Sequence, residues 1–156
     1  MSKLDIVMAT VRDIDACLPS ARKFHDIYAS STVFSEMAWR CFWTPVIERG
    51  GGVMLLLKTE QGDVVGGIGG LLTRYQTSMD LHLVEMFWWV DEEHRGRNAL
   101  RLIREFENWG ADQGADDILM TYMESSEPEK MKKLYSALGY EPFESHMVKS
   151  LEVSNA

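Results

Sequence analysis

Trp88-Trp89-Val90 and, a few residues on, Arg95-Gly96-Arg97-Asn98-Ala99 together make a junction suited to holding an anion. An apolar run of strand type stops at Val90, and a helical pattern opens shortly afterwards. At a helix N-terminus the unpaired N–H groups and the macrodipole together favour phosphate. Arg95 and Arg97 add positive charge where a pyrophosphate would lie, although in an unrelated setting two such arginines are ordinary solvated charges. Upstream, Met79, Leu81 and Leu83 occupy odd positions of the same strand, whereas Met86, Trp88 and Val90 occupy even ones. A one-residue phase slip in a continuous strand is what a β-bulge produces, and it is expected near Val84 and Glu85. Bulges re-aim side chains beside active sites, which marks Glu85 as a candidate functional carboxylate; a paired or solvent-facing strand carboxylate is the alternative.

The elements that must position these residues follow from periodicity and turn chemistry. Asp5 to Thr10 reads as a strand, and Asp13 or Asp15 is suited to cap a helix running to about Tyr28. From about Val33, Phe34, Met37, Ala38, Cys41, Phe42 and Val46 recur at helical spacing, with Pro45 expected to end or kink that helix near Phe42 or Trp43. Gly50-Gly51-Gly52 breaks the chain. Val53 to Thr59 and Val64 to Thr73, around Glu60-Gln61-Gly62-Asp63, have the pattern of a β-hairpin. Gly66, Gly67, Gly69 and Gly70 do not make a phosphate loop, because Leu72 stands where GxGxxG needs its last glycine and no helix pattern follows. They mark instead a bend or close backbone approach. The strand with the phase slip runs from Met79 to Val90. Asn98 is the expected N-cap of the next helix, with Ala99, Leu102, Ile103, Phe106 and Trp109 in one stripe and Gly114 closing it. Asp117 to Tyr122 reads as a strand that should pair in parallel. Ser126 and Glu129 have capping-box spacing for a helix with Pro128 in its first turn and Gly139 at its end. A final strand pair is expected from Tyr140 to Val153, giving the order βααβββαβαββ in one domain over residues 1–156.

Composition narrows the function classes. A formal charge of −8 argues against broad nucleic-acid contact. It suits a cationic acceptor, or simply keeps a small domain soluble. No apolar run approaches the roughly 20 residues of a membrane span, and no secretory start is recognisable, so a soluble intracellular protein is expected. Cys17 and Cys41 lack CxxC spacing and read as small buried hydrophobes in a reducing compartment. His25, His82, His94 and His146 have no metal-ligand spacing, and no metal is expected. Trp39 and Trp43, four apart on the second helix, read as core packing.

The element order, with Val90…Arg95-Gly96-Arg97-Asn98-Ala99 and Leu134-Tyr135-Ser136-Ala137-Leu138-Gly139-Tyr140, resembles the GNAT superfamily of acetyl-coenzyme A-dependent N-acetyltransferases over nearly the whole chain. Arg95 matches the first position of the family's Arg/Gln-x-x-Gly-x-Gly/Ala loop, while Asn98 and Leu100 stand where glycine, and glycine or alanine, are usual. Asn tolerates the left-handed backbone better than most residues. Tyr135 matches the family tyrosine four residues before a Gly-Tyr pair, and Pro128 replaces an asparagine seven residues before it. The Trp-Trp-Val strand end, the Glu-rich loop and the closing Gly139-Tyr140-Glu141-Pro142…Lys149-Ser150-Leu151 segment are most similar to short GNAT proteins of tailed bacteriophages, which would place the protein in a host cytoplasm.

The resemblance implies an α/β (α+β) GNAT fold: a central mixed, mostly antiparallel sheet with a bulged, splayed fourth strand, flanked by four helices. It implies acetyl-CoA as cosubstrate, with backbone groups of Trp88, Trp89 and Val90 along the pantetheine arm and Arg95, Gly96, Arg97, Asn98 and Ala99 at the pyrophosphate. Glu85 is then the candidate general base, acting directly or through water, and Tyr135 the candidate acid for the departing thiolate. The expected partner is a primary amine, either a small molecule or a protein lysine, attacking directly in a ternary complex; a homodimer is a family possibility. A catalytically inactive acyl-CoA-binding or partner-binding module on the same fold is the competing expectation.

Overall fold

Glu60-Gln61-Gly62-Asp63 does close a hairpin between β2 (Gly52–Lys58) and β3 (Val64–Arg74), with Gly62 at φ +90° in the turn. β1 (Asp5–Met8) lies antiparallel to β2, and β4 (Leu81–Val90) lies antiparallel to β3. β5 (Asp117–Leu119) joins β4 in parallel after helix α3 (Arg97–Asp112), the crossover that parallel pairing requires. The sheet order is therefore β1-β2-β3-β4-β5. The computed structural model describes residues 4–29, 31–124 and 126–151. These divide into two compact units, Met1–Thr121 and Tyr122–Ala156. Among the described residues the fold is a five-stranded, mostly antiparallel sheet with four α-helices, as the expected fold class requires.

The first unit packs helices on its sheet through positions where β3 has no side chains. A Cβ at Gly69 would fall 2.6 Å from the Phe87 ring and 2.7 Å from that of Trp43; one at Gly70 would fall 2.5 Å from Phe106. Glycine here is a demand of packing, since neighbouring β3 residues face opposite sides of the sheet. One core joins Ala9, Ile14, Cys17, Trp43, Met54, Leu56 and Phe87. Of the predicted stripe of α3, Leu102, Ile103 and Phe106 are fully buried, and Ala99 and Trp109 are half-buried.

Helix ends depart from the sequence reading wherever backbone geometry outweighs side-chain type. α1 is Leu18–Tyr28, preceded by two short 3₁₀ turns. Asp13 does not cap it: its carboxylate accepts the Thr10 N–H at 2.8 Å and pairs with Lys58 at 2.6 Å, while Asp15 pairs with Arg40. α2 (Glu36–Arg49) is capped by Ser35 and does not end at Pro45 but continues past it to a left-handed Gly50. Pro45 removes one backbone donor, yet buried Trp43 on one side and half-buried Val46 and Ile47 on the other hold the turn against the core. Asn98 is not the N-cap of α3; Gly96 is, at φ +79° and ψ −120°, a conformation that needs glycine. Asn98 lies inside the helix, and its side-chain amide donates to the His94 carbonyl at 3.0 Å.

The second unit carries α4 (Pro128–Ala137), which ends before a left-handed Gly139. The Ser126–Glu129 capping box does not form, because Glu127 occupies the cap position at φ 44° and Glu129 pairs with Lys132 instead. The expected strand pair from Tyr140 to Val153 is absent from the described residues 140–151, and Val153 lies outside them. Met147, Val148 and Leu151 are exposed there, so the one-sided burial that stabilises a strand pair is missing.

Candidate functional site

The phase slip in β4 is real and lies slightly further along than the alternation suggests. Gly70 pairs with Glu85 and Gly69 with Phe87, leaving Met86 as the extra, exposed residue of the bulge. Met86 thus does not continue the buried row. The bulge flips the strand: Leu83 and Glu85 face α3, whereas Phe87 and Trp89 face the aromatic core beneath α1 and α2. β5 follows β4 only along His82, Leu83 and Val84. Beyond that point the strands part, and among the described residues no strand covers the outer edge of β4 from Glu85 to Val90.

Glu85 sits where the strands separate. It is 8% exposed, and its Oε2 accepts the backbone N–H of Thr121 at 3.0 Å, just after β5. Burial pushes its carboxyl up to about 7, against a smaller opposing effect from the Thr121 hydrogen bonds. A carboxyl pushed up to about 7, sited where two strands part, is matched to proton transfer.

The outer edge of β4 offers backbone groups in alternation. Asp91 donates to the Val65 carbonyl, so the antiparallel ladder spends Trp89 and Phe87 on β3 and turns the N–H and C=O of Trp88 and Val90 outward. Of the three residues expected along the pantetheine arm, Trp88 and Val90 turn their backbone groups to the outer edge of β4, while the backbone of Trp89 is committed to β3 and its ring packs 5.0 Å from Phe87. The Arg95 Nε donates to the Val90 carbonyl at 3.0 Å, tying the loop to the strand end. Gly96 then opens α3 without a side-chain cap, and no acidic residue lies in the first turn. Arg97 is exposed and Ala99 half-buried in that turn, while Arg101 bonds to the Asn98 Oδ1 at 3.1 Å. An uncapped helix start flanked by Arg95 and Arg97 has the chemistry that favours an anion.

Tyr135 belongs to the second unit, buried on α4 with its ring 5.6 Å from that of Tyr140. Trp39 and Trp43 serve the core: each ring lies within 5.4 Å of Phe87. Cys17 is buried, and burial raises its thiol to about 12. Cys41 is exposed, contrary to expectation, because it lies on the outer face of α2. Among the described residues no group of three or more His, Cys, Asp and Glu side chains is placed to hold a metal, and no helix is long and apolar enough to cross a membrane. Sequence reasoning missed Thr121, whose contribution is a backbone N–H and leaves no trace in residue type. It also missed the pair His82–Asp117, which only the β4–β5 register brings together.

A bulged strand thus parts from its parallel neighbour and leads into a glycine-capped helix start. Residues 16–140 match the model of the Acetyltransferase (GNAT) family, and the chain belongs to that family. No curated protein sequence matches the chain. Its fold is similar to that of an aminoglycoside acetyltransferase from an uncultured soil metagenomic sample, at a TM-score of 0.74 and 20% identity over 96% of this chain and 99% of that one. The ribosomal-protein-alanine N-acetyltransferase of Brucella melitensis biovar Abortus 2308 gives 0.73 and 15%, covering 96% and 100%. AAC(6')-Iy, solved with the bisubstrate analogue CoA-S-monomethyl-acetylneamine, gives 0.70 and 16%, covering 97% and 100%.

Proposed function

We propose that this protein transfers the acetyl group of acetyl-CoA to a primary amine by direct attack in a ternary complex, acting as one domain over residues 1–156. The observation that carries the reading is the parting of β4 from β5 at a bulge that holds Glu85, with the open start of α3 beyond it. On this reading the first-turn N–H groups of α3, with Arg95 and Arg97, hold the pyrophosphate, and the outward groups of Trp88 and Val90 hold the pantetheine arm. One of the two N–H groups polarises the thioester carbonyl. Glu85 takes a proton from the incoming ammonium, directly or through water. The free amine attacks the carbonyl carbon, the C–S bond breaks, Tyr135 gives the thiolate its proton, and the surplus proton left on the nitrogen restores the Tyr135 phenol, so that an acetamide and CoA leave.

The acceptor is a small amine or a protein lysine. Acetylation of amine-bearing substrates by the aminoglycoside and ribosomal-protein enzymes supports the amine class, as does the charge of −8. The setting is a cytoplasm, that of a bacterial host if the gene is a phage's. Calorimetric titration with acetyl-CoA and with CoA, followed by free-thiol release across a panel of amines and lysine peptides, tests the reading. Binding with amine-dependent release supports it; binding without release turns the protein into an acyl-CoA-binding module, and no binding removes both. Tyr135→Phe should lower turnover by at least tenfold and leave the coenzyme dissociation constant nearly unchanged. Unaltered turnover would take Tyr135 out of the mechanism.

A further inference from the structure

His82 is 2% exposed, and its Nδ1 meets the carboxylate of Asp117 across the β4–β5 pair. An ionised carboxylate only accepts, so Nδ1 is the donor. Nε2 is buried and makes no hydrogen bond among the described residues, and the Tyr75 ring stands edge-on at 3.8 Å. Asp117 and Tyr75 are thus the titratable groups that face this ring. Next to the pair, Leu81 and Asp116 exchange bonds of 2.7 Å, the Leu81 N–H to the Asp116 Oδ2 and the Asp116 N–H to the Leu81 carbonyl.

These links stand at one end of a strand pair only three residues long, and the Thr121–Glu85 bond stands at the other. His82 and Glu85 lie on opposite faces of β4, since His82 neighbours Leu83, which shares the face of Glu85. His82 therefore cannot reach the reacting atoms from its own face. It acts, if at all, through β5. A one-residue slip of β5 would move Thr121 by about 3.3 Å and end its bond to Glu85.

We propose that His82 and Asp117 are positioning residues for acetyl transfer: their side-chain bond pins β5 in the register that presents the Thr121 N–H to Glu85. The proposal rests on the reading of Glu85 as general base. Hydrogen bonding from Thr121 favours the charged carboxylate, and no charged side chain is among the causes that act on Glu85. Unpinning β5 must then move the titration of Glu85 to higher pH.

The test is the pH profile of kcat/KM for Asp117→Ala, His82→Phe and His82→Asn. Asp117 is exposed, so Asp117→Ala carries the test should His82→Phe fail to fold. Asp117→Ala and His82→Phe should shift the midpoint upward by about one pH unit, lowering the rate at pH 7 roughly fivefold and restoring it at pH 9. His82→Asn, whose amide N–H stands in for Nδ1, should keep the original midpoint. Activity scaled equally at every pH, with the midpoint fixed, would overturn the proposal. The Glu85 carboxyl is followed in parallel by carbon-13 NMR without any substrate. If the wild-type protein transfers no acetyl group, the proposed function falls; the NMR midpoint of Asp117→Ala still decides this inference, a shift sustaining it and a fixed midpoint ending it.

Discussion

Glu85 faces two opposing demands, because burial favours its neutral form while the proposed chemistry needs the charged one. With its carboxyl at about 7 against an ordinary 4.5, the folded protein binds one more proton than the unfolded chain between those values. Stability is therefore full below pH 4.5 and declines as pH rises toward 7, by roughly 3 kcal/mol in all. Glu85→Gln removes the charge and keeps an oxygen for the Thr121 N–H. It should abolish the rise of kcat/KM through about pH 7 and cut the rate at least 100-fold. The same variant should match the wild type in thermal unfolding below pH 4.5 and exceed its Tm at pH 8. Coinciding melting curves at pH 8 would show that the carboxylate is not desolvated. The alternation of β4 made the place of Glu85 legible in the sequence, whereas the donor that holds it was invisible, because any residue but proline at 121 supplies the same N–H.

At the level of elements, the apolar periods of β4 and α3 predicted both strand and helix, and the hairpin turn and parallel crossover followed. What stayed hidden was decided by backbone angle or by burial. Asn98 has the side chain of a cap, but the chain needed φ +79° two residues earlier, and Gly96 supplied it. Pro45 reads as a breaker, and packing of its neighbours carried the helix through. The Ser126–Glu129 spacing lost to a cap at Glu127. Gly96→Ala should strain the start of α3 by about 1–2 kcal/mol and weaken coenzyme binding by about tenfold in calorimetry, with the far-UV spectrum unchanged. Gly70→Ala forces a methyl to within 2.5 Å of Phe106 and should lower stability to urea by about 1–3 kcal/mol.

Across the whole molecule, a charge of −8 surrounds a site whose only argued positive feature is the α3 start with Arg95 and Arg97. A cationic acceptor is drawn toward such a protein, and salt screens the attraction over a Debye length of about 8 Å at physiological strength. For a polyamine acceptor kcat/KM should fall several-fold between about 0.02 and 0.3 M salt, while a neutral-bodied monoamine should respond far less. Equal salt dependence for both would show that the net charge plays no part in capture. The bare stretch of β3 has a mechanical consequence as well. At Gly69 and Gly70 the sheet is one backbone thick, with Trp43 of α2 pressed to one side and Phe106 of α3 to the other. No compliant side chain lies between them to absorb a displacement. A displacement of α2 against the sheet should therefore be felt at α3, because close-packed interiors transmit strain.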